Sequence, residues 1–149
     1  LSILPPYLRN ETEDNPAAID YRDWHVPLGR RFRALKLWFV LRSYGAENLR
    51  TFIRSHVTWA EELESKVIND SRLELAAPRT LALVCFRHTD GNDATRKLAD
   101  AINASGSAYV TPSVTDDVAY IRVSIGSTWT EQRHVEDLWD LIDRNANLK

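Results

Sequence analysis

Apolar positions along this chain recur with helical spacing in some stretches and alternate in others, and the changes of pattern divide it. Residues 1–7 are apolar but broken by Pro5 and Pro6, and residues 9–20 (RNETEDNPAAID) are polar and acidic, with a second breaker at Asn15 and Pro16. Together they predict an exposed mobile loop. Residues 29–44 (GRRFRALKLWFVLRSY) are mostly good helix formers, apolar at Phe32, Leu35, Trp38, Phe39 and Leu41, and Gly45 supplies a C-terminal stop. The apolar arc is wide, so this helix is expected to be buried on more than one side. A second helix over 46–69 sets Leu49, Phe52, Ile53, Val57, Ala60, Leu63 and Val67 on one face. Glu61, Glu62, Glu64 and Lys66 fall mostly on the other.

Beyond residue 70 the elements become short. Strands are predicted near 73–76 and 81–87, then a helix over 93–105 ended by Gly106, then strands over 109–114 and 119–125 joined through an Asp116-Asp117 turn. In the last strand Ile121, Val123 and Ile125 alternate with Tyr120, Arg122 and Ser124, so one face is apolar and the other carries an arginine. Helices are expected to cover the apolar face. The final helix begins with Thr128 and Glu131 in capping-box spacing and is expected to bury Val135, Leu138, Trp139 and Ile142. The fold class is therefore α+β, an antiparallel sheet backed by helices, preceded by a mobile loop and two helices.

A chain of 149 residues suits one compact unit with an appendage. The formal net charge of -2 argues against a nucleic-acid or anionic-membrane partner, because those surfaces need a clustered basic excess. Cys85 is the only cysteine, so no disulfide forms within the chain, and a reducing, cytoplasmic location is expected. No apolar stretch is long enough to cross a bilayer, and no signal-peptide pattern is present, so a soluble protein is expected. The sequence opens at Leu1 without methionine, which suggests an excerpt, a cleavage product or a truncated gene.

The four histidines, His25, His56, His88 and His134, are far apart and show no metal-ligand spacing, so no metal is expected. His56 lies beside the apolar face of the second helix and is read as a packed or hydrogen-bonded histidine. There is no glycine-rich phosphate loop and no Gly-x-Ser-x-Gly elbow. Arg30, Arg31, Arg33 and Lys36 form a basic cluster that reads as a solvated helix face or, alternatively, an anion site. Tyr7 and Tyr21 read as packing residues, and Arg122 as a surface or ion-pair arginine.

The stretch 20–45, DYRDWHVPLGRRFRALKLWFVLRSYG, closely resembles the segment that follows the cofactor-binding region of aromatic L-amino-acid decarboxylases, including DOPA, tyrosine and tryptophan decarboxylases. The similarity continues through LALVCFRH (81–88) and YIRVSIGSTWT (120–130). The resemblance implies the C-terminal part of a homodimeric, fold-type I enzyme that uses pyridoxal 5'-phosphate to release CO2 from an aromatic amino acid. On that footing 1–28 is the end of the large domain with an active-site loop, 29–70 linking helices, and 71–149 the small C-terminal domain. The cofactor's lysine should lie upstream, since Lys36, Lys66, Lys97 and Lys149 all lack the His-Lys context that marks it. The isolated chain is not expected to be active.

The resemblance also implies three site residues. PPYLRN (5–10) is similar to the family's lid loop, which makes Tyr7 the candidate phenolic donor to the Cα carbanion left when CO2 departs. Tyrosine rather than phenylalanine there implies plain decarboxylation rather than decarboxylation with oxidative deamination. Gly29, in PLGRR, matches a position beside the substrate ring and leaves room for indoles without excluding phenols. Arg122 matches an arginine that related glutamate decarboxylases place near the substrate carboxylate; a guanidinium suits a carboxylate, but tight binding of the leaving group would stabilise the ground state, so a positioning role stands as an equal alternative. Two other readings stay open: a non-catalytic module that senses an amino acid, and an inactive truncated product that still dimerises through the 29–44 helix.

Overall fold

The computed structural model describes residues 31–147. Its contacts divide at Gly45 into two units, and each is considered by itself. The first holds one described helix, α1 (Arg33–Tyr44); Arg31 and Phe32 lie outside it, so the helix starts later than the expected residue 29. No residue of α1 is buried, contrary to the burial its wide apolar arc suggested. Phe32, Leu37, Trp38 and Phe39 are 72, 61, 54 and 55% exposed. Apolar side chains fall on several sides of α1, and among the described residues none of them finds cover. Trp38 and Phe39 meet edge to face at 5.1 Å, and the Arg42 guanidinium lies 5.9 Å from the Trp38 ring. Gly45 ends the helix with φ 75° and ψ 150°, a conformation that L side chains rarely adopt.

The second unit contains α2 (Ala46–Asn69), β1 (Leu73–Thr80), β2 (Leu83–His88), α3 (Asn92–Ala104), β3 (Thr111–Thr115), β4 (Val118–Ser124) and α4 (Gln132–Asn145). The strands form one antiparallel sheet in the order β1-β2-β4-β3. The α+β expectation holds, and its reason is alternation. Along β2, Val84, Phe86 and His88 are buried between half-buried neighbours; along β4, Ala119, Ile121 and Val123 are buried. That face meets Ala60, Leu63 and Val67 of α2, Leu98, Ala99 and Ile102 of α3, and Val135, Leu138 and Ile142 of α4 in one core. Phe86, Ile121 and Ile142 are fully buried, and each such side chain contributes about 1.5 to 3 kcal/mol.

Several boundaries move. β1 runs to Thr80 rather than Ala76; it is an edge strand, where Pro78 is tolerated, and its register shifts twice against β2. The first hairpin turns at Leu81 and Ala82, residues expected in the strand, with Leu81 at φ 52° and its carbonyl accepting from Arg79 at 2.8 Å. Arg79 is itself fixed by Glu61 and Glu64 of α2. The Asp116-Asp117 turn forms as expected, both residues at positive φ, and Asn92 clamps it by donating to the Asp117 carbonyl and accepting from the Ala119 N–H. α4 is not capped by Thr128. Glu131 is the cap, its N–H donating to His134 Nδ1 at 3.1 Å, and Leu141 is buried where Trp139 is only half-buried. The apolar face of α2 is covered only in its second half, for Ile53 remains 57% exposed.

Polar clamps hold the ends of these elements. His88 accepts the Asp90 N–H at Nδ1 and so donates from Nε2 to the Ala146 carbonyl at 2.9 Å, tying β2 to the end of α4. Arg72 bridges Asp70 and Asp143, joining the α2–β1 turn to α4. The Arg72 hydrogen bonds hold the Asp70 carboxyl below the usual carboxylate range. A carboxyl depressed in the folded state stabilises above its unfolded pKa, and that contribution is lost as pH falls through the folded value. Asp70→Asn should therefore cost about 1 to 3 kcal/mol at neutral pH. The gap from wild type should narrow below about pH 4. Urea denaturation across pH checks this, and a gap independent of pH would refute it.

Candidate functional site

β4 lies between β2 and β3, so its side chains are fixed by two ladders. With Ala119, Ile121 and Val123 committed to the core, the pleat turns Tyr120, Arg122 and Ser124 to the other face. Arg122 stands opposite Cys85 on β2 and Thr111 on β3. It is exposed, and among the described residues no carboxylate pairs with it, whereas Arg72, Arg79 and Arg87 are all paired. Burial pushes the Cys85 thiol pKa up, and the positive charge of Arg122, its register partner, pulls it partly back.

Arg122 also borders a cavity of about 490 Å³. Its walls come from β4, from 107–109 ahead of β3 and Thr111 at its start, from the 126–131 loop through Thr130, and from α4 through His134 and Leu138. The guanidinium has donors to spare, and apolar Val123, Ile125 and Leu138 line the same space. His134 is committed to capping α4. His56, read as a packed histidine, is indeed buried at 3% exposure, with Phe52 4.1 Å and Trp59 5.2 Å from its ring.

Of the three site residues that the family resemblance implied, Tyr7, Gly29 and Arg122, only Arg122 is placed. Tyr7, Tyr21 and Gly29 lie outside the described residues. No described lysine lines the cavity: Lys36 is on α1, Lys97 on α3, and Lys66 lies 5.7 Å from the Trp139 ring. The described residues thus bring no lysine to this cavity. They also hold no cluster of three or more His, Cys, Asp or Glu that could bind a metal ion.

An antiparallel sheet with helices on one face and an arginine on the other is common to many α+β units, and the comparisons with known proteins narrow it. Residues 1–89, more than half of the chain, match the pyridoxal-dependent decarboxylase conserved domain, and the chain belongs to that family. It is 42% identical over 164 residues to tyrosine/DOPA decarboxylase 1 of Papaver somniferum, covering 99% of this chain and 32% of that protein. It is 43% identical over 160 residues to a phenylacetaldehyde synthase of a Rosa hybrid cultivar, covering 98% of this chain and 32% of the relative. The crystal structure of Oryza sativa TDC with PLP and tryptamine superposes with a TM-score of 0.83 at 38% identity, over 98% of this chain and 32% of that one. The chain thus spans about a third of the length of these relatives.

The nearness of Arg122 to Cys85 is open to test without any ligand. Because the guanidinium favours the thiolate, Arg122→Gln should move the pH profile of Cys85 alkylation to higher pH. An unmoved profile would place the charge out of reach.

Proposed function

We propose that this chain is the C-terminal third of a pyridoxal-phosphate-dependent decarboxylase that converts aromatic L-amino acids to arylalkylamines and CO2, with Arg122 meeting the substrate carboxylate. The observation that carries the role of this chain is Arg122, a guanidinium without a described carboxylate partner, at the edge of a cavity of about 490 Å³. The identity of 42% to a tyrosine/DOPA decarboxylase supports the reaction and the substrate class. The cofactor supplies an electron sink for the bond to CO2, and the residues that hold it belong to the rest of the enzyme. Arg122 orients the amino acid by its carboxylate. Tyr7 protonates Cα after CO2 leaves, and Gly29 leaves room for an indole or phenol ring. The enzyme is a cytoplasmic homodimer with no membrane or nucleic-acid partner.

A second reading has one specific support, the 43% identity to a phenylacetaldehyde synthase. In that chemistry O2 and water convert the decarboxylated substrate to aldehyde, ammonia and hydrogen peroxide. Tyr7 favours the plain decarboxylase.

Both parts are tested in the complete enzyme. Arg122→Gln should raise KM for the amino acid by about 10-fold or more, the worth of a hydrogen bond to a charged group. It should leave inhibition by the product amine, which has no carboxylate, unchanged. Tyr7→Phe removes only the phenolic proton, so amine formation should fall by about 10²- to 10⁴-fold and aldehyde should appear. Unchanged constants in the first variant would remove Arg122 from the site. Aldehyde as the main product of the unaltered enzyme would establish the second reading.

A further inference from the structure

α4 brings two polar side chains to the cavity that Arg122 borders, His134 and, about one turn further on, Asp137. His134 caps the helix with one ring nitrogen only. Its Nδ1 accepts the Glu131 N–H at 3.1 Å, and an imidazole nitrogen that accepts carries no proton, so the ring proton is on Nε2. The cap thus leaves His134 a hydrogen-bond donor at the cavity. Asp137 lines the same space, is exposed, and brings acceptors. Further along α4 Asp143 is taken up by Arg72, whereas Asp137 meets no arginine or lysine among the described residues.

Arg122 on β4 and Asp137 on α4 line one cavity, yet no ion pair joins them, so the two charges are held apart. Other parts of the wall are apolar, among them Val123, Ile125 and Leu138. At about 490 Å³ the space lies in the range that takes a small organic molecule, roughly 300 to 1,000 Å³. A guanidinium, an apolar stretch and a donor beside an acceptor match in kind the carboxylate, the ring and the ring hydroxyl of a phenolic amino acid. The donor and acceptor together are selective, because a phenol hydroxyl accepts from Nε2–H and donates to the carboxylate. An indole N–H can only donate, and an unsubstituted phenyl ring does neither, so each leaves a polar group of the wall unpaired.

We propose that His134 and Asp137 are specificity-determining residues: together they bind the hydroxyl of a phenolic amino acid, and so make the site prefer tyrosine-type substrates to tryptophan and phenylalanine. The inference rests on the substrate role proposed for the Arg122 cavity and names the ring that the cavity takes. Size does not make the choice, since in that reading Gly29 leaves room for either ring.

Two substitutions in the complete enzyme test the pair. Asp137→Ala removes the acceptor from an exposed position. His134→Gln keeps the cap, because glutamine is a capping-box residue whose oxygen accepts the Glu131 N–H, and removes the imidazole Nε2–H. In the unaltered enzyme kcat/KM for tyrosine should exceed that for phenylalanine and for tryptophan by about 10-fold or more, the worth of a hydrogen bond to a charged group. Asp137→Ala should remove most of that preference by lowering the tyrosine value, and His134→Gln should lower it several-fold, with phenylalanine turned over as before in both. A merely structural role moves all three substrates together, and that result, or an unaltered enzyme without preference for the phenol, would overturn the proposal. Calorimetric binding of tyramine and phenethylamine, which lack the carboxylate, reads the ring end apart from Arg122: tyramine should bind more tightly, and the gap should close in Asp137→Ala. If it closes while Arg122→Gln leaves KM for tyrosine untouched, the carboxylate role of Arg122 fails and the ring site stands. If the gap stays open, the ring site fails whatever Arg122 does.

Discussion

The second unit depends on one constraint: its four-stranded sheet has a single face against the helices, and β2 and β4, the central strands, must present that face without error. Val84, Phe86, Ile121 and Val123 lie in register across the two strands and meet all three helices of the unit. Because side chains alternate along a strand, a slip of one residue would turn this whole set outward and bring Cys85 and Arg122 into the core. Burying a guanidinium without a partner costs several kcal/mol, so the register that buries Ile121 also requires Arg122 to be outside. The position of the candidate site is thus a by-product of core packing.

Polar groups do a different task in this fold. Arg72, Arg79, His88, Asn92 and Asn103 each join segments that are close in space but not continuous in helix or strand, and each does so with more than one of its polar atoms. Asn103 is typical: it donates to the Val110 carbonyl and accepts the Val110 N–H, closing the passage from α3 to β3. Against that background two groups differ. Arg122 has donors without described acceptors, and His56 has a buried nitrogen without a partner. Arg122 lines the cavity between β4 and α4, whereas His56 does not.

Much of the fold could be read from the sequence wherever a periodic pattern coincided with a local stop signal. α2 has its expected bounds, α3 is displaced by one residue, and the Asp116-Asp117 turn lies where two residues tolerant of positive φ meet. The failures are also local. The turn at Leu81 and Ala82 has none of the residues that mark turns, and is held by Arg79, whose own partners are on α2. The cap of α4 uses His134 where the pattern offered Thr128. For the site, alternation placed Arg122 on the open face of β4. The cavity beside it was hidden, because 107–111, 126–131 and α4 come together only in three dimensions. Tyr7 and Gly29 rest on family resemblance, and both lie outside the described residues.

An arginine that binds the carboxylate of a decarboxylation substrate faces a conflict, because that carboxylate carries negative charge in the ground state and loses it as CO2 forms. Tight pairing stabilises the substrate more than the transition state and so raises the barrier. A buried, desolvated ion pair would have that effect, since charges attract most strongly where water is excluded. Arg122 is instead exposed on a sheet face, where solvent screens its charge. In the role proposed for it, such an arginine supplies direction more than affinity: it selects which end of the amino acid enters the cavity. The precision then has to come from the walls, and the wall that is least supported by regular structure is the loop carrying Thr130.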